Sequence, residues 1–335
     1  MKIGIAYDLK ESVPVDRVHP EDALEEYDSR QTIDDIAEAI EFLGHTTVRL
    51  GGGREFLSKI VQESVDLVFN ISEGLGNYRS REAQVPSVLE MLDIPYTGSD
   101  PQCLAICLDK PLTKELVTAA GILTPRWQAI ANVNELAGMS WDKFPFPAFV
   151  KPAYEGSSKG IRLNSRVKDP DELARIVSRI IEEYRQPALV EEFIEGDEVT
   201  VGVIGNASPE IVGVMRVLTR DGKAPIAYSL EVKREWESLV EYECPARLEK
   251  KILERVREAS LKAFRVLGCR DVSRIDFRIT PEGEPYFLEV NPLPGLNSHS
   301  SDLPIMARKM GISYQSLISS ILDAAIARHP LCVHP

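Results

Sequence analysis

The chain has few covalent staples and little positive charge. Its 335 residues include five cysteines, Cys103, Cys107, Cys244, Cys269 and Cys332, an odd number with no CxxC pair. A disulfide framework is excluded, and reduced thiols in a cytoplasmic protein are expected. Cys103 and Cys107 lie one helical turn apart. With no further Cys or His nearby, a zinc site is not expected. Lys+Arg number 39 against 52 Asp+Glu, a net charge of −13. Without a basic stripe the chain has no footprint of a nucleic-acid binder and none for anionic membranes. No stretch approaches the ~20 apolar residues of a membrane span. The opening Met1 to Asp8 is too short in its apolar run for a signal peptide. Internal repeats, low-complexity tracts and a GxxxxGK[ST] phosphate loop are all missing. What is present is 44% hydrophobic and long enough for a large core in two or three domains.

The first 70 residues read β-α-β-α-β, the pattern of a parallel sheet. Strands are expected at 2–7, 46–50 and 66–70. Ile33, Ile36, Ala37, Ile40 and Leu43 mark one face of a helix over 32–43, and a second helix is expected over 55–62. The loop 71–76 follows the third strand. Ligands in open α/β sheets sit beyond such carboxyl ends, so it is a candidate wall of a site. A helical segment follows over 103–120. Past Phe149, short strands alternate with glycine loops, and helices are expected over 170–183, 248–267 and 313–327. The tail from 329 is expected to fray.

Four segments carry chemistry. Lys151-Pro152-Ala153-Tyr154-Glu155-Gly156-Ser157-Ser158 brings a lysine from a strand end into a loop of small residues. Such a loop lets backbone N–H groups approach a phosphate; the plain alternative is a surface turn. Arg274-Ile275-Asp276-Phe277-Arg278 and Leu288-Glu289-Val290-Asn291 flank the turn 281–284. Alternation places Asp276, Glu289 and Asn291 where they can converge as hard oxygen ligands suited to Mg²⁺. A half-buried hairpin with a wet polar face is the alternative. Glu191 to Glu198 links two strands and offers groups for a purine edge and a ribose, or is simply a solvated acidic hairpin.

In order and spacing these segments resemble the ATP-grasp ligases, specifically D-alanine–D-alanine ligase and its close relatives. The resemblance is carried by Asp109-Lys110, Lys151-Pro152 with Glu155 to Ser158, Glu191 with Glu198, Lys233, and Arg274-Ile275-Asp276. It closes with Glu289-Val290-Asn291, Pro294-Gly295-Leu296 and Ser298-His299-Ser300, and spans about residues 66–327. It implies an α/β (α+β) ATP-grasp fold: an N-terminal parallel domain over 1–105, a central lobe over 106–195 and a C-terminal lobe over 196–330. It implies ATP held by Lys110, Lys151, Ser157 and Ser158. Glu191, Phe193 and Ile194 would lie at the adenine, Glu198 at the ribose, and Lys233 at the γ-phosphate. Two Mg²⁺ ions, replaceable by Mn²⁺, would sit on Asp276, Glu289 and Asn291. Arg274 and the Gly295 backbone would stabilise the reacting carboxyl. The implied chemistry is amide-bond formation through an acyl phosphate. The leading substrate pair is D-alanine with D-alanine. The alternatives are another amino acid, a peptide or a small metabolite, and a non-catalytic ATP-binding protein. Related ligases are often dimers.

The substrate half departs from the family pattern. Asp8 to Pro14 replaces a glycine-rich opening, with Glu11 standing where an ammonium-gripping glutamate is sought. Gly74 to Gln84 replaces Gly-Glu-Asp-Gly. Arg234 follows Lys233 where a tyrosine is usual, and Ser301 to Pro304 is extra. Arg79, Arg81 and Arg234 in one cleft would favour a larger or more acidic second substrate. His299 is either an aid to a substrate carboxylate or a plain loop histidine. Trp127, Trp141 and Trp236 are read as packing, and His19 as solvated.

Overall fold

The computed structural model describes residues 1–13, 20–139, 141–220 and 229–329, without the side chains of Ala137, Asp142 and Lys233. His19 and Cys332 lie outside the described residues, as does the tail beyond His329. Three sheets organise the chain. β1 (Lys2–Ala6), β2 (Thr46–Gly51) and β3 (Leu67–Asn70) form the expected parallel sheet in the order β2-β1-β3. Each βαβ crossover carries a helix. Arg30–Phe42 is capped by the Ser29 hydroxyl and buries Ile33, Ile36 and Ile40. The other crossover helix runs over Gly53–Ile60, two residues earlier than its apolar spacing suggested, because Gly52 caps it with extended backbone.

β4 (Trp127–Ile130), β5 (Ala148–Pro152), β6 (Arg166–Val167) and β7 (Ala188–Glu192) form an antiparallel sheet in the order β4-β7-β5-β6. Helix Pro170–Tyr184 covers it with Leu173, Ile176, Val177 and Ile180. β8 (Asp197–Gly205), β9 (Glu210–Thr219), β10 (Val240–Glu243), β11 (Asp271–Ile279) and β12 (Pro285–Asn291) make the third sheet, also antiparallel, ordered β10-β9-β8-β11-β12. Helix Lys250–Val266 packs on it through Val256, Ala263 and Phe264. The last helix, Tyr314–Arg328, turns back to the first sheet. Its Leu317, Ile318 and Ile321 share a core with Ile3, Ile5 and Ile36.

The expected helix over 103–120 is broken in two, Pro101–Leu108 and Lys110–Ala119. Pro111 has no N–H for the carbonyl four residues back, so the ladder cannot run through. Asp109 takes up the break as N-cap and accepts the Leu112 N–H at 3.1 Å. The break sets Lys110 at a helix start facing the cleft, where its N–H bonds the Ala153 carbonyl at 3.2 Å.

Candidate active site

A cavity of about 510 Å³ opens where the three sheets meet, within the size range of ligand sites. Part of its floor is a lattice of alternating charge. β11 and β12 pair so that Asp276 lies opposite Glu289 and Arg274 opposite Asn291. A register shift follows Asp276. The hairpin thus converges Asp276, Glu289 and Asn291, with the Asn291 amide donating to Asp276 Oδ2 at 3.2 Å. Arg274 grips Asp276 with two nitrogens, at 3.1 and 2.9 Å, and reaches Asp302 with a third at 3.2 Å. Thr200 donates to the same Asp276 carboxylate.

Lys110 and Lys151 approach from another part of the wall, with Lys114 buried behind them. Lys110 and Lys151 lie 3.7 and 3.9 Å from Glu289 Oε2. Lys151 also pairs with Glu191 Oε2 at 3.0 Å, while Lys114 takes Glu191 Oε1 at 2.5 Å. Lys110 donates to the Glu155 carbonyl. Burial pushes the Glu289 carboxyl up, but Lys110, Lys151 and Arg274 outweigh it and hold the group at about 2. Its contribution to stability is therefore complete above the ordinary carboxylate range and is lost only as pH falls through about 2. Burial lowers Lys114 to about 8 against the pull of Glu191. Glu191 is deep between its lysines, with each oxygen on one of them. It also lines the cavity.

The residues expected at the adenine and ribose line the same cavity. Phe193 and Ile194 follow β7, and the guanidinium groups of Arg166 and Arg278 lie over the Phe193 ring at 4.1 and 4.5 Å. Glu198 lines the cavity and is held by Arg278 at 3.1 Å. Ser157 and Ser158 both carry positive φ, 50° and 60°, a strained pair of non-glycine residues in the loop that borders the cavity. Gly295 and Trp236 are also in its wall. The backbone of Lys233 belongs to helix Leu230–Arg234, which docks through Leu230 N–H on the Ile161 carbonyl at 3.0 Å; its side chain lies outside the description.

The substrate side corrects several expectations. Arg81 does not face a substrate: it is fully buried, 2.7 Å from Glu26 and 3.1 Å from Glu155, with a further bond to the Tyr154 carbonyl. Lys159 closes the network on Glu26 and Glu155, at 3.0 and 2.6 Å. Arg234 pairs with Glu25 and Glu21 of the N-terminal acidic segment, at 2.6 and 3.3 Å, and Arg79 with Asp109 at 3.4 Å. Arg81 is thereby withdrawn from the argument for an acidic second substrate, whereas Arg79 is largely exposed and Arg234 stays in the cavity wall. Glu11 lies at the surface on Arg30 and is not part of the cavity wall. His299 is exposed and its backbone joins a turn around Asn297. The cavity wall carries Asp28, Glu73 and Glu82 instead. Gly74, at φ 77°, lets this loop close: a Cβ there would sit 2.0 Å from the Arg81 carbonyl oxygen.

Sequence reasoning missed Lys114, Asp302, Thr200 and the Glu26–Arg81–Glu155–Lys159 network. Lys114 had a signal, since it lies one helical turn from Lys110 on the same buried face.

A family model described as the D-ala D-ala ligase C-terminus matches residues 116–323. The D-alanine–D-alanine ligase of Aquifex aeolicus is 35% identical over 288 residues, covering 86% of this chain and 92% of its own. The chain belongs to the D-alanine–D-alanine ligase family. It is an ATP-dependent ligase that forms a carbon–nitrogen bond. The uncharacterized protein y4sG of Sinorhizobium fredii is 34% identical over 305 residues, covering 88% of each chain. The solved D-alanine–D-alanine ligase of Bacillus anthracis complexed with ATP superposes with a TM-score of 0.75 over 98% of both chains, at 24% identity. The VanG D-Ala:D-Ser ligase of Enterococcus faecalis gives 0.73, over 97% of this chain and 99% of its own. These likenesses establish the expected ATP-grasp fold. Among the described residues no helix is long and apolar enough to cross a membrane.

One pH effect follows from the D-alanine–D-alanine ligase frame and its buried acids. Burial pushes the Glu82 carboxyl up to about 7, although Arg81 pulls it down, and burial carries Asp28 to about 7 as well. A raised carboxylate contributes stability below its unfolded pKa that is lost as pH rises through the folded value. The melting temperature of the wild type is expected to fall as pH rises from ~4.5 past 7. Glu82→Gln should flatten part of that fall, read by thermal melts across the pH series. Parallel curves for the two proteins would refute the assignment.

Proposed function

We propose that the chain joins two D-alanine molecules into a dipeptide with consumption of ATP. The observation that carries the reading is the facing of Asp276 and Glu289 across β11 and β12, with Lys110, Lys151 and Arg274 around them. Arg81, one of the three arginines that could have selected an acidic substrate, is buried on Glu26 and Glu155. Asp28, Glu73 and Glu82 give the substrate side carboxyl groups whose oxygens can accept hydrogen bonds from an amino-acid ammonium, although burial raises the pKa of all three.

Lys110 and Lys151 bind the ATP phosphates, with the Ser157–Ser158 loop bordering them. Phe193 and Ile194 line the adenine and Glu198 meets the ribose. Asp276, Glu289 and Asn291 form a set of hard oxygen donors that fits Mg²⁺, and Glu289 stays ionised far below neutral pH. Two Mg²⁺ ions held there would neutralise phosphate charge during transfer. The first D-alanine carboxylate attacks the γ-phosphorus, and ADP leaves. The second D-alanine amine attacks the acyl carbon, loses a proton and expels phosphate. Arg274 is fixed by two hydrogen bonds to Asp276 and an ion pair with Asp302, and its remaining N–H hydrogens, with the Gly295 backbone, serve the oxyanion. The resemblance gives Lys233, whose side chain lies outside the described residues, the γ-phosphate.

The test is phosphate release with mass detection of products over panels of D- and L-amino acids and short peptides. D-alanyl-D-alanine as the best product supports the reading. Turnover of other substrates with D-alanine inert would overturn the substrate. Failure of every substrate would favour an ATP-binding protein without ligation.

Lys151→Met offers a second check. It keeps most of the side chain's length and removes the charge. The ATP dissociation constant should rise roughly 10- to 150-fold, the effect of losing a charge-assisted contact worth about 1.5–3 kcal/mol. Unchanged affinity by calorimetry would remove Lys151 from the nucleotide site.

A further inference from the structure

Cys269 meets Cys103 and Cys107. The sequence puts it 166 positions from Cys103, yet their sulfurs are 3.8 Å apart, and Cys103 Sγ to Cys107 Sγ is also 3.8 Å. All three sulfurs fall within 4.8 Å of one another, and all three residues are buried. The expectation that no further thiol lay nearby was a matter of sequence distance and fails in the fold.

The spacing is that of ligands. Three sulfurs sharing one ion at the ~2.3 Å of a zinc–thiolate bond stand about 3.8–4.0 Å apart, for tetrahedral to trigonal geometry. Little rearrangement is needed. Cys103 occupies the first turn of helix Pro101–Leu108, where the helix dipole favours a thiolate. The Ser99 hydroxyl hydrogen-bonds to Cys103 and accepts the Arg270 N–H at 3.0 Å, which fixes its orientation. Asp100, the cap of this helix, is neutralised by Arg270 at 2.7 Å. Cys107 forms part of the wall of the ATP-side cavity, so an entry path exists.

We propose that Cys103, Cys107 and Cys269 form a three-thiolate site for one soft d¹⁰ cation of the Cu(I), Zn(II) or Cd(II) class. Binding replaces three S–H bonds with three sulfur–metal bonds and releases three protons to solvent. Thiolates select these ions over Mg²⁺, so the site is chemically separate from the oxygen donors at Asp276. An occupant would tie helix Pro101–Leu108 to the start of β11.

The test uses the full chain, reduced and metal-free, titrated with Cd(II) in excess Mg²⁺ so that oxygen sites are saturated. A Cys244→Ser/Cys332→Ser variant leaves only the three clustered thiols. The expected result is a sulfur-to-cadmium charge-transfer band that saturates at one Cd(II) per chain in wild type and in this variant. Proton release should track the band. Cys107→Ser and Cys269→Ser should each weaken binding at least 10-fold. Absence of the band with thiols shown to be reduced would overturn the proposal, as would its disappearance in Cys244→Ser/Cys332→Ser. Should the cluster variants fail to fold, that double variant decides the matter alone.

Discussion

Glu289→Gln is expected to reduce turnover by ~10²–10³-fold, the usual scale for losing one preorganised charge at a reacting centre. The amide keeps the size and one oxygen of the side chain but not its charge. Glu289 is the carboxylate toward which Lys110 and Lys151 both point, at 3.7 and 3.9 Å. Three neighbouring cations hold it ionised down to about 2. In the variant the same cations would repel a bound Mg²⁺ with one fewer negative charge to offset them. The Mg²⁺ concentration for half-maximal activity should therefore rise ten-fold or more. The fold should persist at neutral pH, because Lys151 keeps Glu191 and Lys110 keeps the Glu155 carbonyl. Phosphate release measured across a Mg²⁺ series, beside a thermal melt, separates the two effects. Full activity at limiting Mg²⁺ would sink the metal assignment.

What could be seen in the sequence was local. Asp276, Glu289 and Asn291 were legible because strand alternation and one short turn determine which side chains share a face. The parallel order of the first sheet was legible from the alternation of strand and helix. The break at Asp109 had its signal in Pro111, which the apolar spacing of 103–120 overrode. Partner choice between distant segments was not legible. Arg81 finds Glu26 across 55 positions, Lys159 finds Glu26 across 133, and Arg234 finds Glu25 across 209. A guanidinium in the sequence carries no mark of whether its carboxylate lies in the same chain or in a ligand. The error over Arg81 arose there, and so did the missed meeting of Cys269 with Cys103.

Arg81→Met is expected to cost about 3–5 kcal/mol of stability, the effect of leaving buried carboxylates without their cation. The Arg81 side chain is 2% exposed, and Glu26 and Glu155 beside it are 2% and 6% exposed. Water cannot replace the guanidinium there. Lys159 would remain on both carboxylates, and Gln186 on Glu155, so part of the charge stays compensated. A single ammonium cannot supply the lost fork of hydrogen bonds, nor the one to the Tyr154 carbonyl. The loss is a large share of the 5–15 kcal/mol that typically separates folded from unfolded chains. At ~2–4 °C per kcal/mol for domains of 150–250 residues, melting should fall by roughly 6–20 °C. Arg81→Lys should recover only part of it, since the ammonium keeps the charge but not the planar geometry. A residue that served instead to recognise an acidic substrate would behave in the opposite way. Its loss would leave the melting curve in place and raise KM for carboxylate-bearing substrates alone. Thermal melts of the two variants, read beside KM values from the substrate panel, distinguish an arginine that holds the cleft together from one that reads what enters it.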